Sequence, residues 1–387
     1  VALIYRVDLE NTTGSTLAVI KNPTSFECNI SIGGKGNYQL VLSGFDDVVN
    51  SFTPDIIIRF WRNDTDAGNG WINVFNGIHK TVSKSLTQSG NKTFTSYGPD
   101  SNELLDKAYI LYAPNSAQSN KTNFATTAMI EFVRENIGSQ ALVSNGRRLN
   151  GTNPITIGGS SGLGPSWGDE SAGKHLLTVL QNIRDFSKQL GTQIDFEVQY
   201  LGNYQWLFVC GNLYVDRTNV GLNPNTGRNG SGNVPVVFSP LYNNVETFYE
   251  SLSRYNEVNA VVSLGSGVGA LQQFAAIRNL TSVSQSAIAQ RETIVNSNDS
   301  SLAQLTNVAQ SALYEHVATP KVSFSPLLNA VKLWKDFLPG DFITAMNEDR
   351  EEFHQQLVGT SLRVSQSAGG STVEQLNLDF ESAVGFL

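Results

Sequence analysis

The chain has 387 residues, 40% of them hydrophobic and only 16% charged, and its net charge of −8 comes from 26 Lys and Arg against 34 Asp and Glu. That length allows two or three compact domains with substantial cores, and the 20 Phe, 12 Tyr and 5 Trp exclude a disordered chain. The acidic balance, without any dense basic run, argues against a dedicated nucleic-acid binder, and no apolar stretch reaches the roughly 18 residues of a membrane-crossing helix.

Residues 3–98 carry the alternation of β-strands. "LIYRVDL" alternates around Leu3, Tyr5 and Val7, and "FECNISI" around Phe26, Cys28, Ile30 and Ile32. "YQLVLSG" follows the glycine turn at 33–37. "DIIIRFW" (55–61) and "GWINVFNGIHKTVSK" (70–84) add strands on either side of the polar turn "RNDTDAGNG". Short strands with Gly and Asn turns point to a small barrel or sandwich rather than a βαβ unit.

Helices enter between 101 and 191. "FATTAMIEFVRENIG" repeats Phe124, Ala128, Phe132 or Val133, and Ile137 at helical spacing, with Gly138 placed to cap it. In "GKHLLTVLQNIRDFSKQLG" the apolar stripe of Leu176, Val179, Leu180, Ile183, Phe186 and Leu190 ends at Gly191. The Gly/Ser-rich stretch 150–171 between them is expected to be loop. "IDFEVQY" then pairs as a hairpin with "YQWLFVCGNLYVDR" across a Gly202-Asn203 turn. Residues 221–233 form a surface loop, and "NNVETFYESLSRY" (243–255) is expected to be a short helix. "VNAVVSL" is a strand, and 299–316 a helix with Leu302, Leu305, Val308, Ala309 and Ala312 on one side. After Pro320 the chain returns to β through "DFITAMNE", "EEFHQQLVGTSLRVSQS" and "STVEQLNLDF".

Candidate chemistry is sparse. "VVSLGSGVGALQQFAAIRN" places Gly265, Gly267 and Ala270 in the dinucleotide-binding pattern after a strand. No βαβ crossover precedes it and no acid follows at the required place, so a glycine corner where a strand bends is the expected reading. His79, His175, His316 and His354 lie on four separate elements without metal-ligand spacing. Asp195 and Glu197 share one face of a strand, about 7 Å apart, a separation open to a glycosidase pair and equally to a solvated outer face. Asp336 and Asp341 flank a Pro339-Gly340 turn. Of Trp61, Trp71, Trp167, Trp206 and Trp334, Trp206 is assigned to the core, while Trp167 suits a subunit contact at least as well. Cys28 and Cys210 are expected to be buried thiols, with one disulfide left open. The Asn-x-Ser/Thr triplets beginning at Asn11 are read as by-products of composition, consistent with synthesis in a reducing cytosol. No catalytic, cofactor-binding or metal residue is assigned.

The order of motifs resembles the baseplate hub, or tail-hub, proteins of long-tailed bacteriophages. The opening "YRVDLENTTGSTLAVIKNPTSFECNISIGGKGNYQLVLSGFDD" and the passage "FTSYGPDSNELLDKAYILYAP" look like that family's first barrel and its exit. "ATTAMIEFVRENIG" and "LLTVLQNIRDFSKQLGTQIDFEV" resemble its middle-domain helices and hairpin. "VVFSPLYNNVETFYESLSRYNEVNAVVSLGSGVG", "SLAQLTNVAQSALYEHVATPKVSFS" and "FLPGDFITAMN" are similar to its second barrel. The resemblance implies an α+β, mostly β chain: a first small tube-forming barrel at 1–100, an α/β middle domain at 101–220, and a second barrel with a helical insertion at 221–387. It further implies a non-enzymatic virion protein of the tail tip, made in the host cytoplasm. As a homotrimer the protein would close the tail tube as a pseudo-hexameric ring with a mildly acidic channel. Its partners would be the adjoining tube ring, the tape-measure protein, and a fibre, spike or receptor-binding protein, with DNA only in transit. Because the last expected strand falls close to Leu387, host binding and wall cutting are expected to be delegated to partners. The alternative function is a carbohydrate-binding or carbohydrate-processing tail protein built on Asp195 and Glu197.

Overall fold

A computed structural model describes residues 3–21, 23–64, 70–111, 120–285, 290–297, 301–316, 321–327, 331–366 and 372–383. The first hundred residues form strands β1 (Leu3–Glu10), β2 (Thr16–Ile20), β3 (Ser25–Ser31), β4 (Asn37–Ser43), β5 (Ile57–Asp64), β6 (Trp71–Ile78), β7 (Thr81–Leu86) and β8 (Lys92–Pro99). The middle contains α1 (Glu103–Asp106), β9 (Asn120–Phe124), α2 (Ala125–Asn136), β10 (Ile155–Ile157), β11 (Ser166–Glu170), α3 (Leu176–Gln189), β12 (Asp195–Gly202) and β13 (Gln205–Gly211). Then follow β14 (Val237–Phe238), β15 (Val245–Ser251), β16 (Ala260–Leu264), β17 (Phe274–Arg278), α4 (Leu280–Gln285), β18 (Glu292–Asn296), α5 (Leu302–His316), β19 (Lys321–Pro326), β20 (Phe342–Met346), β21 (Glu352–Gln366) and β22 (Thr372–Ser382). The turn expected at 62–70 lies, over 65–69, outside the described residues.

Two sheets sandwich the largest core. One is β2-β1-β5-β6; the other runs β14-β20-β21-β3-β4-β8-β7, with β22 on the far edge of β21. The alternation of β1 buries Tyr5, Val7 and Leu9 between the sheets. Residues from both ends of the chain share this core: Phe26, Tyr38 and Phe60 meet Phe238, Phe337, Ile343 and Leu362. The joint is β21, which pairs with β20 over Glu352–Gln356 and with β3 over Gly359–Ser365. Among the described residues no sheet closes into a barrel.

The second core lies between helices α2 and α3 and the β10-β13-β12 sheet, where Met129, Phe132, Leu180, Phe196 and Phe208 are buried. The stripe of α3 packs here as its spacing requires, and Gly191 ends the helix at φ +80°. Gly191 N–H donates to Lys188 O and Thr192 N–H to Ser187 O, so two C-terminal carbonyls are satisfied. Gly138 lies just past α2, where a Cβ would come within 2.9 Å of the Arg134 backbone. A third, smaller unit packs α5 on one face of the β17-β16-β18 sheet through Val261, Ala309 and Ala312. Glu257 fastens it, accepting both arms of Arg254 (2.9 and 3.0 Å) together with Ser282 and Arg291. These donors hold its carboxyl down at about 2.

Two expectations are corrected. Residues 243–255 hold strand β15, which pairs with β19 across the intervening β16–α5 segment; the β-branched and aromatic run "VETFY" finds its partner beyond the reach of local periodicity. The 150–171 stretch contains β10, parallel to β13, and β11, antiparallel to β9. Strands of three and five residues leave too few periods to stand out among glycines.

The Pro339-Gly340 turn leads from Phe337 of the first core into β20. Asp341 N–H donates to Leu338 O, and Gly340 takes φ +96° as the third residue of the turn. The Asp341 carboxylate is buried and accepts from Leu338 N–H (2.9 Å), Val215 N–H (3.0 Å) and Arg217 Nε (3.0 Å). A Cβ on Gly340 would lie 2.2 Å from the Tyr214 ring. Gly340→Ala is therefore expected to destabilise the fold by about 1–3 kcal/mol through combined backbone strain and overlap. Urea unfolding of the two proteins measures it; an unchanged midpoint would mean that the corner is loosely held.

Candidate functional site

The residues singled out by sequence are dispersed. His79 is buried with Nδ1 2.7 Å from Ser96 Oγ, and its pKa is lowered by burial. His175 lies at the N-cap of α3, His316 at the end of α5, and His354 Nδ1 is 3.2 Å from Thr344 Oγ1. Among the described residues no three His, Cys, Asp or Glu side chains are grouped to hold a metal. Both thiols are buried and free. The glycine motif is a hairpin: β17 returns antiparallel to β16, and a Cβ on Gly267 would lie 2.4 Å from Leu271 O. Only a single 3-10 turn, Gly269–Leu271, separates the two strands, so no α-helix N-terminus follows β16 to receive a phosphate.

The carboxylates are committed to joints. Asp195 is buried rather than solvated, accepting from Gln356 Nε2 (2.9 Å) and Gln193 Nε2 (3.2 Å), and burial raises its pKa. Glu197 accepts from Gln199 and, at 3.5 Å, from Tyr214 OH. The Asp336 carboxylate accepts from Lys332 N–H at 2.8 Å, a donor it does not share with Asp341. Asp100 lines a cleft of about 240 Å³ between β3, β6 and β12. It accepts from Gly36 N–H (2.7 Å) and Asn102 N–H (3.0 Å), yet burial outweighs both donors and lifts its pKa to about 7. Of the tryptophans, Trp206 is buried with Nε1 donating to Ser101 Oγ at 3.1 Å. Trp167 packs edge-on against Phe186 at 5.5 Å. Trp334 is buried in the first core, and Trp71 is exposed beneath Arg6.

What the molecule presents to its surroundings is strand edges. Across the larger sheet, β22, β21, β3, β4, β8 and β7 form a row in which every adjacent pair is antiparallel. Its two outer edges, β22 and β7, have no further strand partner among the described residues. All six residues of β7 are exposed, including Val82 and Leu86, and the strand contains neither proline nor acid. Residues 81–92 carry Lys84 and Lys92 as their only charges, whereas β22 carries Glu374, Asp379 and Glu381 and no base. Glu374 is committed to Arg62 and Glu381 to Lys188, which leaves Asp379 facing outward. A second exposed feature is the face of the β17-β16-β18 sheet opposite α5. There Phe274 and Ile294 are 61% and 62% exposed, beyond a hairpin tip with Val268 and Leu271. Sequence reading missed the edges; the acid-free run "TVSKSLTQSGNK" was their only local sign.

A sequence model of the Siphovirus ReqiPepy6 Gp37-like protein family matches residues 56–375. The chain belongs to that family. No curated protein sequence matches it. Among solved structures, the fold is similar to a tail protein from Neisseria meningitidis MC58 (13% identity, TM-score 0.54, covering 99% of this chain and 98% of that one). It is also similar to the prophage MuSo2 43 kDa tail protein from Shewanella oneidensis (10% identity, TM-score 0.55, 97% and 98% covered). A third similar fold is that of prophage tail protein gp18 from Listeria monocytogenes EGD-e (10% identity, TM-score 0.52, 96% and 94% covered). The resemblance to phage tail-hub proteins in the sequence motifs thus extends to the fold, which is mostly β with some helices.

The raised Asp100 gives a signed pH dependence. The folded state keeps this proton up to about pH 7, whereas an unfolded carboxyl releases it near its ordinary 3.8. Stability should fall as pH rises through that window, by up to about 4 kcal/mol, and level off above it. Asp100→Asn loses one backbone hydrogen bond at every pH but should flatten the slope between pH 4 and 7. Urea midpoints against pH test this, and an equally steep profile in the variant would assign the slope to other groups.

Proposed function

We propose that the protein is a structural virion component, a homotrimeric hub that closes the distal end of a phage tail tube. The observation that carries this reading is the row of six antiparallel strands with open edges of opposite charge. An even number of alternating strands lets β7 of one copy meet β22 of the next with the antiparallel sense preserved. Head-to-tail pairing of this kind is heterologous and closes a ring when the rotation fits. A six-residue edge guarded by a single lysine is a hazard in a monomer and a docking element in an assembly.

In this reading segments 1–100 and 221–387, expected from the sequence as two barrels, together supply the tube-forming part of each chain through their shared sheet, which becomes closed only in the ring. Segment 101–220 projects from them. The low charge and the Asn- and Gln-rich surfaces suit burial against neighbouring subunits. The adjoining tube ring, the tape-measure protein and a fibre or spike protein would contact the assembled particle, with DNA crossing its channel. Among the described residues Asp195 and Glu197 are held by glutamine amides and Tyr214 rather than facing an open cleft as a pair. The similarity in fold to tail proteins supports the same assignment.

The test combines light scattering and negative-stain images with cross-linking between Ser83→Cys and Asn377→Cys. Burial raises the Cys28 thiol well above its ordinary value and the Cys210 thiol to about 12, so neither native thiol competes for a maleimide reagent. A three-chain particle with a central hole is expected, and mixing the two single variants should give an inter-chain adduct that neither gives alone. A ring without the adduct would overturn the edge pairing but keep the hub. A monomer at every concentration would contradict a ring formed by this chain alone.

A further inference from the structure

A cleft of about 430 Å³ lies where the end of β6 meets α1 and the loop after α2. That volume is in the range of small-molecule sites, and its floor is apolar, formed by Ile78, Leu104, Ala108 and Ile137. Tyr109 stands at its side, 45% exposed, with its ring braced against His175 at 4.1 Å. An aromatic face held in this way offers a flat apolar surface to a ring-shaped ligand.

The charge at the cleft is unbalanced at one residue. Lys80 is paired with Asp55 at 2.5 Å, and Lys107 and Lys35 share Glu103 at 3.9 and 3.4 Å. Arg147 has no acidic partner among the described residues. The loop holds it by Nη1, which donates to Leu149 O at 2.8 Å, while its Nε is buried without any hydrogen-bond partner. Gly151 lies against the same guanidinium, where a Cβ would come within 3.2 Å of Nη1. The loop itself is pinned to the segment just past α2 by Gly151 N–H on Ala141 O and Asn153 N–H on Ile137 O, both 2.9 Å. Burial lowers the Arg147 pKa with no acid to offset it. A half-buried guanidinium that lines a cleft with no acidic partner among the described residues is disposed to take a carboxylate or phosphate, the oxyanions whose geometry matches its fork.

We propose that this cleft binds an anionic saccharide, its sugar ring against Tyr109 and its carboxylate or phosphate on Arg147. The site is separate from Asp195 and Glu197 and involves no covalent chemistry. It does not depend on the hub reading, because neither sheet edge contributes to it.

Saturation-transfer NMR and calorimetry with glucuronate, glucose 1-phosphate, glucose and inorganic phosphate test the proposal on the full chain. Saturable millimolar binding of glucuronate or glucose 1-phosphate is expected, and which of them binds separates a carboxylate from a phosphate source; glucose should not bind. Arg147→Ala should weaken binding at least about tenfold, as for loss of a charge-assisted hydrogen bond. Arg147→Lys should retain part of it, and covers the case in which the alanine variant does not fold. Binding of glucose as tight as that of either acid, or affinity unchanged in both variants, would overturn the assignment. So would phosphate binding as tightly as glucose 1-phosphate, which would leave an anion site only, and so would no saturation by either anionic sugar.

Discussion

Strand β21 is the constraint on which the remainder of the fold depends. Its one edge holds β20 and then β3, while its other edge holds β22 from Gln355 to Gln366. The change of partner occurs at a bulge near Val358, where Ile32 N–H reaches Val358 O and the β22 register shifts between Leu357 and Gly359. Gly359 is suited to this bend, because a Cβ there would meet the Asp379 carboxylate at 2.9 Å. Through this strand the first and last segments of the chain become one sheet and one core. The ordering cost of bringing such distant segments together is met by shared apolar burial, with Phe26 and Phe60 on one side and Phe238 and Phe337 on the other.

The joints use few opposite charges. Asp341 is satisfied chiefly by backbone N–H groups and Arg217, and Asp195 by two glutamine amides. Asn102 donates to Gly34 O and accepts from Val198 N–H, tying the first sheet to the middle hairpin. A chain with 16% charged residues can bury polar joints in this way because amides carry a smaller desolvation penalty than ions. Opposite charges do the joining at Arg62–Glu374, which ties β5 to β22, and at Glu257, where several donors converge on one acid to secure the small α5 unit. The composition that looked merely turn-rich in sequence is therefore also the chemistry of the joints.

Legibility followed periodicity. Helices α2 and α3 and the β12–β13 hairpin could be placed because their stripes and turns are local, and Tyr5, Val7 and Leu9 followed from simple alternation. Strand β15 was misread because β19, the partner that fixes it, comes after α5. The corner at Gly340 was visible as Pro-Gly, but its contact with Tyr214 and the fastening by Asp341 required the fold. Asp195 looked outward by alternation, and its burial comes from Gln356 on a distant strand. Arg147 had no sequence signal at all, since the absence of an acidic partner is a property of three-dimensional neighbours.

An open row of strands, basic at one edge and acidic at the other, connects this architecture to its proposed place at the end of a tail. The most direct test locates the chain in the intact particle. Gold-labelled antibodies against this protein, viewed on negatively stained phage, should bind at the distal tip of the tail. Label along the tube, at the head-to-tail junction or on the capsid would contradict the account.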